Sequence, residues 1–307
     1  MKEFSPRIGP FLRTSNTSAR IMLDVVIALI PAMIFGVWWN GPRALLEILV
    51  ACAVCQACDM VCDKIAGRDF THGALVTGVL LAFNMTGTTP IWVIILASVF
   101  AIVVGKQVFG GLGSNIVNPA LMGRCFVMLV YPTVLNSFTV AGGGVDSVTS
   151  ATVLGTGAGS YSYLQMFLGT IPGTIGETSK LLLLIGFLYL VFRREVNWLA
   201  SLVYVATVAG VSAMFGFDPL TSLLSGGLVL GACFMLTDYV SVGIRGQLFT
   251  AFFAGLVTTF IRVHSSLPEG VCFGILTANC LMGLFVFAQG KHVYGIKDEI
   301  GKEDGHA

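Results

Sequence analysis

The side chains best suited to bind a cofactor lie in a glycine-rich turn that begins at Gly110. Gly110 and Gly111 permit a close backbone approach and positive φ angles. Asn115 and Asn118 offer amide donors and acceptors for a polar ligand, and Pro119 suits a first helical position. The structural alternative is a loop that leads into a helix, with Asn118 as the N-cap.

A second string is rich in hydroxyl groups and reads Asp146-Ser-Val-Thr149-Ser150-Ala151-Thr152. From residue types alone, the better interpretation is a solvated Ser/Thr turn. No catalytic residue is predicted from these side chains. The position of the string in the chain therefore has to decide whether it carries a function.

Four cysteines follow one another in a single apolar run at the spacing C-x-x-C-x-x-C-x-x-x-C. This reproduces ferredoxin spacing without the terminal proline. At about 100° per residue all four fall on one face of a helix, whereas a cluster needs a looped backbone around it. We therefore predict a packed helix face and no metal site for Cys52, Cys55, Cys58 and Cys62.

Several ionisable residues lie in or beside apolar runs, where a charge costs about 2.5–3.5 kcal/mol on membrane-insertion scales. They are Asp24, Glu47, Asp59, Arg124, Asp238 and Glu269. Glu47 and Asp59 fit ion pairing or snorkelling near the end of a span. Asp24 and Asp238 are candidates for an ion path or for structural partnership.

The elements that carry these residues must lie in a membrane. The chain of 307 residues is 55% hydrophobic and only 11% charged, with a mean hydropathy of +0.87. A soluble domain carries about 25% charged residues, so the bilayer is expected to be the main solvent. The net charge of +1 does not indicate nucleic-acid binding. No cleavable signal sequence is visible.

Ten apolar runs predict about ten membrane spans. With the N-terminus inside, 13 of the 17 Lys and Arg residues fall in cytoplasmic segments, which follows the positive-inside rule. Both termini are therefore predicted to be cytoplasmic. The runs are 21–39, 44–62, 73–86, 91–106, 119–131, 180–193, 198–215, 222–242, 248–263 and 270–289.

This topology places the longest connection outside the cytoplasm. The connection contains no Lys or Arg and is rich in Gly, Ser and Thr, and long loops of this kind are usually functional or disordered. The predicted organisation is a cytoplasmic N-terminus (1–20), a first membrane repeat (21–131), an extracytoplasmic loop (132–179), a second membrane repeat (180–290) and a cytoplasmic tail (291–307).

A weak internal repeat relates the two sets of spans. Gly73-Ala-Leu-Val-Thr-Gly78 matches Gly226-Gly-Leu-Val-Leu-Gly231, and a proline opens another apolar run roughly forty residues after each. The alternative is a chance match between small-residue helices. Five spans, a loop and five spans predict an all-α polytopic membrane protein built from two inverted five-helix repeats, with its site at their interface.

The chain resembles, over almost its whole length and in order, one family of membrane redox proteins. That family comprises the D subunit of the Rnf ferredoxin:NAD oxidoreductase and the B subunit of the sodium-pumping NADH:quinone reductase. The short N-terminal region favours the Rnf branch, and Leu281-Met-Gly-Leu departs from the family pattern. The strings are Met22-Leu-Asp24-Val, Ala74-Leu-Val-Thr-Gly78, Lys106-Gln107, Gly110 to Arg124, the Thr152 motif, Gly176-Glu177-Thr-Ser179, Leu236-Thr-Asp238-Tyr, Pro268-Glu269-Gly-Val, Ile275-Leu276 and Asn279.

The hydroxyl-rich string also resembles the acceptor motif of extracytoplasmic flavin transferases, D-x-x-[ST]-G-A-T. The resemblance implies that the Thr152 hydroxyl holds FMN as a phosphoester, with Asp146, Thr149 and Ala151 matching the motif. Ser150 replaces the usual glycine. An extracytoplasmic position is where such a transferase works, so topology and motif support each other.

The family resemblance has further implications for cofactors and partners. It implies non-covalent riboflavin near Asn115 and Asn118, and assembly with Rnf subunits A, B, C, E and G. A flavin transferase for maturation and membrane lipid complete the expected partners. Electrons would pass between iron–sulfur centres and flavins in a bacterial or archaeal cell membrane, coupled to Na⁺ or H⁺ movement.

A different class of protein also fits the spans. A flavin-free channel or secondary transporter can be built from two inverted repeats. The feature that separates the two hypotheses is Thr152, because a transporter has no use for an extracytoplasmic flavin acceptor.

Overall fold

The computed structural model describes residues 18–68, 72–135, 162–237, 244–265 and 270–288, and these residues are helical or irregular with no strand among them. We call 18–135 the first half and 162–288 the second half. The helices of the first half are α1 (Ser18–Asn40), α2 (Pro42–Ile65), α3 (Gly73–Phe83), α4 (Ile91–Ile102, extended by a π-helical turn at Val103–Gln107), α5 (Pro119–Val130) and α6 (Pro132–Leu135).

The second half has longer and shorter helices in alternation. They are α7 (Tyr163–Leu168), α8 (Lys180–Phe192), α9 (Trp198–Met214), α10 (Pro219–Leu224), α11 (Leu228–Leu230, extended by a π-helical turn at Gly231–Met235), α12 (Ile244–His264) and α13 (Val271–Ala288).

Length and composition mark part of this structure as membrane-spanning. Among the residues described, three helices are long and apolar enough to cross a bilayer: Ala19–Asn40, Pro42–Ile65 and Gly246–His264. Shorter apolar helices accompany them, and large apolar side chains such as Ile34, Trp38 and Phe192 are exposed. An exposed apolar surface of this extent fits contact with lipid, so the predicted all-helical membrane protein is confirmed.

One predicted run, 222–242, does not form a continuous helix where the structure describes it. Helix α10 ends at Leu224, and Gly226 follows with a φ of 63°. Helix α11 then starts at Leu228. A left-handed glycine breaks a helix at little steric cost, which hydrophobicity alone does not reveal.

Glycines set the close approach between helices. A Cβ on Gly186 of α8 would overlap the carbonyl oxygen of Ala28 in α1, and one on Gly123 of α5 would lie 2.8 Å from the carbonyl oxygen of Ala97 in α4. Gly274 of α13 meets the backbone of α12 in the same way. Small residues let membrane helices pack backbone to backbone, so these crossings fix the bundle.

The end of the predicted extracytoplasmic loop folds back into the protein. The N–H of Ile175 donates to the carbonyl of Met85, and the N–H of Gly176 donates to the carbonyl of Phe83, each at 2.9 Å. The last carbonyls of a helix have no partner within it, and α3 ends at Phe83 inside the bundle. The loop backbone therefore completes the hydrogen bonding at the end of α3.

Candidate functional site

A pocket of about 740 Å³, counted with its open mouth, lies between the two halves. Its walls come from α1, α3 and the turn before α5 in the first half, and from the end of α8 and the π-helical turn after α11 in the second. Small-molecule sites typically have mostly apolar walls with a few polar groups, and this pocket is lined in that way. The polar lining residues are Thr77, Lys106, Asn115, Asn118, Glu195 and Thr237.

The two asparagines of the glycine-rich turn both line this pocket but have different surroundings. Asn118 is the N-cap of α5: its Oδ1 accepts from the N–H of Ala120 at 3.0 Å, and its Nδ2 donates to the carbonyl of Met235 at 3.4 Å. Asn115 is 5% exposed, and its Oδ1 has no hydrogen-bond partner among the described residues. Buried polar atoms are normally satisfied, so the Asn115 oxygen is the atom that a ligand N–H would fit.

The two glycines predicted as part of the site contact Arg68 and do not line the pocket. Gly110 and Gly111 have φ angles of 115° and 89°, and they are not in the pocket wall described above. Arg68 donates to the carbonyl of Gly110, and a Cβ on Gly111 would lie 2.6 Å from the Nη1 of Arg68. The structure thus shows these glycines shaping the turn around an arginine, while Pro119 lies in the pocket wall beside Asn118.

A buried carboxylate is held next to the pocket by the π-helical turn of α4. The Nζ of Lys106 donates to Asp59 Oδ2 at 2.8 Å, with both side chains at most 3% exposed. The Nε2 of Gln107 donates to Asp59 Oδ1 at 2.6 Å and to Asp63 Oδ1 at 3.1 Å. π-Helical turns are frequent at functional sites, and this one turns two donors toward α2. The ion pairing predicted for Asp59 is present.

The four cysteines of α2 lie along this same continuous helix. Cys55 is buried, and Cys52, Cys58 and Cys62 are half-buried. Within the described residues no group of three or more Cys, His, Asp or Glu side chains is arranged to hold a metal ion. A Cβ on Gly78 of α3 would lie 2.7 Å from the Cα of Cys52, so this part of the cysteine face packs closely against α3.

Asp24, predicted as an ion-path candidate, is 4% exposed and joins α1 to the end of α8. The hydroxyl of Tyr189 donates to its Oδ1 at 2.9 Å, and Arg193 donates to its Oδ2. This pairing is the structural partnership that the sequence interpretation gave as the alternative role. The other ion-path candidate, Asp238, lies outside the described residues.

Glu195 adjoins this cluster and was not singled out from the sequence. It is 5% exposed, lines the pocket, and lies with its Oε1 3.7 Å from the Nε of Arg193. Its carboxyl group shares a side-chain hydrogen bond with the neighbouring carboxyl group of Asp24. Burial raises the pKa of the Glu195 carboxyl to about 7, and the neighbouring Asp24 carboxylate adds to the rise. The available signal was an isolated acid after two arginines at the end of an apolar run.

A second buried network joins the folded-back loop to α5. The Nη1 of Arg124 donates to the carbonyl of Asn84 at 2.6 Å and lies 3.6 Å from Glu177 Oε1. The Nζ of Lys180 donates to the carbonyl of Glu177 at 2.7 Å. The sequence analysis named Glu177 only as part of a family string and did not predict its ion pair. An acidic residue directly before an apolar run was the available signal for such a buried pair.

The flavin-acceptor string lies outside the described residues. This applies to Asp146, Thr149, Ser150, Ala151 and Thr152. Their predicted role therefore remains a prediction.

The fold and the pocket define a helical membrane protein with buried ion pairs and a pocket with polar lining residues between its two halves. Within that class, a family model described as the NQR2, RnfD, RnfE family matches residues 6–295. The chain belongs to this family, and the family predicted from the sequence strings is confirmed.

Curated relatives cover both branches of the family. The D subunit of the Na⁺-translocating ferredoxin:NAD⁺ oxidoreductase complex of Acetobacterium woodii is 39% identical over 94% of this chain and 94% of its own length. The D subunit of the proton-translocating ferredoxin:NAD⁺ oxidoreductase complex of Clostridium ljungdahlii is 35% identical over 92% and 93%. The B subunit of the Na⁺-translocating NADH-quinone reductase of Chromohalobacter salexigens is 37% identical over 69% of this chain and 57% of its own length.

Proposed function

We propose that this chain is the electron-carrying D subunit of an Rnf-type complex, which couples ferredoxin:NAD redox chemistry to Na⁺ or H⁺ translocation. The observation that carries the proposal is similarity along nearly the whole chain to relatives that bear this name, one named for sodium and one for protons. Its partners in the membrane are then subunits A, B, C, E and G. The chain is one part of the enzyme and not a complete enzyme alone.

The first proposed cofactor is FMN esterified through its phosphate to Thr152. The motif Asp146–Thr152 supports it, and a flavin transferase on the extracytoplasmic side would attach the group. When bound, FMN supplies electron transfer. The role of the chain is to present the Thr152 hydroxyl in a segment that an enzyme outside the membrane can reach.

The Thr152 adduct is tested by fluorescence of the denatured protein on a gel. The wild-type band should fluoresce, and its tryptic peptide should carry the mass of FMN less one water. Thr152→Ala should abolish both the fluorescence and the added mass. Thr149→Ala is the comparison variant, because it leaves the Thr152 hydroxyl, the proposed attachment point, in place. A fully fluorescent Thr152→Ala band would disprove the assignment.

The second proposed cofactor is a non-covalent flavin in the pocket between the halves. The buried Oδ1 of Asn115, which has no hydrogen-bond partner among the described residues, supports it. Asn115 would accept from the ring edge, and Asn118 and Pro119 would form the wall. The glycines at 110 and 111 would shape the turn that carries these residues.

We also propose about ten spans in two inverted repeats, with both termini in the cytoplasm. Equivalent helices pack in equivalent ways: α2 contacts α4 as α9 contacts α12, and α4 contacts α5 as α12 contacts α13. The pairs α1 with α8 and α5 with α13 join the halves, as a pseudo-two-fold axis requires. The pocket then lies at the repeat interface.

A flavin-free channel or transporter remains the alternative of a different class. The proposed inverted repeats and the buried charges fit both hypotheses equally well. Covalent flavin on the purified chain would exclude the alternative, and its complete absence from protein made with an active flavin transferase would favour it.

A further inference from the structure

Two buried carboxyl groups, one from each half of the chain, meet where α1 packs against α8. Asp24 lies on α1 and is 4% exposed, and Glu195 follows the end of α8 and is 5% exposed. The two carboxyl groups share a hydrogen bond. Because a carboxylate has only acceptor oxygens, a hydrogen bond between two carboxyl groups requires a proton on one of them. This contact between the halves therefore contains a proton.

The neighbouring side chains make Asp24 the acceptor and Glu195 the group that carries the proton. The hydroxyl of Tyr189 donates to Asp24 Oδ1 at 2.9 Å, and Arg193 donates to Asp24 Oδ2. Hydrogen bonds from two such donors stabilise an ionised carboxylate. The Oε1 of Glu195 lies farther from the same arginine, at 3.7 Å from the Nε of Arg193. Burial and the neighbouring Asp24 raise the pKa of the Glu195 carboxyl to about 7.

Two further basic side chains face this acid pair among the described residues. Arg20, one turn before Asp24 on α1, is exposed and attracts the Glu195 carboxylate. Solvent screens an exposed charge, and burial outweighs this attraction. Lys106 lines the same pocket as Glu195 but is paired with Asp59 at 2.8 Å. The arginines therefore keep the Glu195 proton exchangeable near neutral pH and do not remove it.

The backbone holds Glu195 against α1 at a conformational cost. Arg194 has a φ of 58°, the one positive φ among the non-glycine residues described. The N–H of Glu195 then donates to the carbonyl of Leu190 at 3.0 Å. Glycine is the usual residue at such a helix end, and an arginine in this conformation is a strain of the kind that persists at functional sites.

The pocket between the halves gives a proton access to the pair. Glu195 lines this pocket, and so do Met22 and Val25 of α1, which lie on either side of Asp24 in the chain. The hydroxyl-bearing Thr237 belongs to the same wall. Polar groups of this kind suit the bridging water molecules that would carry a proton.

We propose that Asp24 and Glu195 form a proton-binding site between the two halves of the chain, in which one proton from the pocket is held between the two carboxyl groups. Binding forms the O–H bond of Glu195. Release breaks that bond, returns the proton to the pocket and leaves two carboxylates that repel each other. The hydrogen bond between α1 and the end of α8 is then lost, so proton binding is coupled to the contact between the halves.

The inference deepens the proposed function, because it gives the chain a binding site for a translocated proton, and it rests on that function for this role. The site itself requires neither of the two proposed flavins. Its existence can therefore be tested by measuring the proton directly.

Infrared difference spectroscopy of the purified complex tests this assignment, because a protonated carboxyl group has a C=O stretch that a carboxylate lacks. Spectra are recorded across about pH 5–9, on both sides of the ordinary range of a perturbed carboxyl group. The wild type should lose a carboxyl band with a midpoint at about pH 7. Glu195→Gln should lack this band. Its amide N–H can donate to Asp24 in place of the shared proton, so the variant is expected to fold.

A second variant separates a shared proton from an isolated acid. Asp24→Asn removes the like charge beside Glu195 at nearly constant size. The midpoint of the Glu195 band should then fall by at least about 1 pH unit, which is tenfold in proton affinity. Asp218→Asn is the matched control, because Asp218 binds Thr221 and Tyr163 and does not line the pocket. It should keep the wild-type midpoint.

The outcomes distinguish this inference from the function beneath it. A wild type without a carboxyl band that titrates in this range overturns the proposal without any variant. A band that titrates unchanged in Glu195→Gln overturns it too, with folding checked by size-exclusion chromatography. An unchanged midpoint in folded Asp24→Asn shows that Glu195 titrates alone and overturns the shared site. Ferredoxin-dependent reduction of NAD⁺ by the same wild-type complex tests the proposed function: its absence beside a titrating Glu195 band overturns that function and leaves the proton site standing.

Discussion

Buried carboxylates pair with basic side chains where helices of this protein meet. Lys106 with Asp59 joins α4 to α2, and Arg193 with Asp24 joins the end of α8 to α1. Lys106 and Asp59 are both buried, and removing one partner of such a pair typically costs about 3–5 kcal/mol, because the other charge is left uncompensated. These residues therefore hold helices in register whatever further role an ion path gives them.

The two asparagines of the turn should respond differently to truncation. Asn118→Ala removes an N-cap, which typically costs about 1 kcal/mol, and should lower the thermal midpoint of the purified protein. Asn115→Ala removes an oxygen without a hydrogen-bond partner among the described residues and should leave that midpoint nearly unchanged. It should instead reduce the amount of non-covalent flavin that co-purifies, measured by chromatography. Full retention of that flavin in Asn115→Ala would show that the Oδ1 of Asn115 does not contribute to flavin binding.

The raised pKa of Glu195 predicts a pH dependence of stability. With a folded-state pKa of about 7 against an ordinary 4.5, the folded chain binds more protons than the unfolded chain between these values. Stability attributable to Glu195 therefore falls as pH rises from about 4.5 to about 7. The thermal midpoints of wild type and Glu195→Gln should be compared across that range. The midpoint of the wild type should fall relative to that of Glu195→Gln as pH rises. A constant difference would contradict a shifted pKa.

At the scale of elements, helices cross closely at glycines, which have no side chain. Gly186 and Gly123 bring backbones together where any Cβ would collide. The π-helical turns at Val103–Gln107 and Gly231–Met235 border the pocket from the two halves. Irregular backbone of this kind is tolerated in membrane proteins where it lines a protein interior.

A matched pair of glycine substitutions tests the crossing of α1 and α8. Gly186→Ala places a methyl group against the Ala28 carbonyl and should destabilise by about 1–3 kcal/mol through overpacking. In α9, a Cβ at Gly210 meets no atom of the described residues within 4 Å, so Gly210→Ala should be neutral or stabilising by up to about 1 kcal/mol. The readout is the thermal midpoint of each purified variant. Equal midpoints would mean that the crossing can relax.

Local sequence signals predicted most helices but not how they end. Apolar runs marked the bodies of α1, α2 and α4, and the Asn118-Pro119 pair marked the start of α5. The break within 222–242 and the return of Ile175 to the end of α3 were missed. Both depend on backbone conformation or on hydrogen bonds between distant segments, which hydrophobic periodicity does not encode.

For the molecule as a whole, the pocket exists only because two halves meet. Asn115 comes from one half and Glu195 from the other. Sequence strings identified the family and the first of these residues. For Glu195 the sequence offered only an isolated acid after two arginines, which does not place its side chain: the left-handed Arg194 and the packing of α8 against α1 set where the carboxylate lies.

The proposed topology makes a prediction for the intact chain. Reporter fusions at Gly157 and Gly305 should report opposite sides of the membrane, because the charge distribution places the long loop outside and the C-terminus inside. Alkaline phosphatase and a fluorescent protein active only in the cytoplasm provide complementary readouts. If both positions report the same side, the ten-span topology is wrong and the transferase could not reach Thr152 as proposed.

The hydrogen bonds from Ile175 and Gly176 to the end of α3 also bear on how the protein is made. The carbonyls of Phe83 and Met85 are synthesised roughly ninety residues before the N–H groups that pair with them. At about 5–20 residues per second, the ribosome needs about 5–20 s to supply those partners. During that interval the emerging half must rely on water, the insertion machinery or a chaperone to occupy two open acceptors. The first half therefore completes its hydrogen bonding only after Ile175 and Gly176 have been synthesised and have paired with the end of α3. A ribosome stalled before Ile175 would leave the helical bundle incomplete and exposed to quality-control proteases.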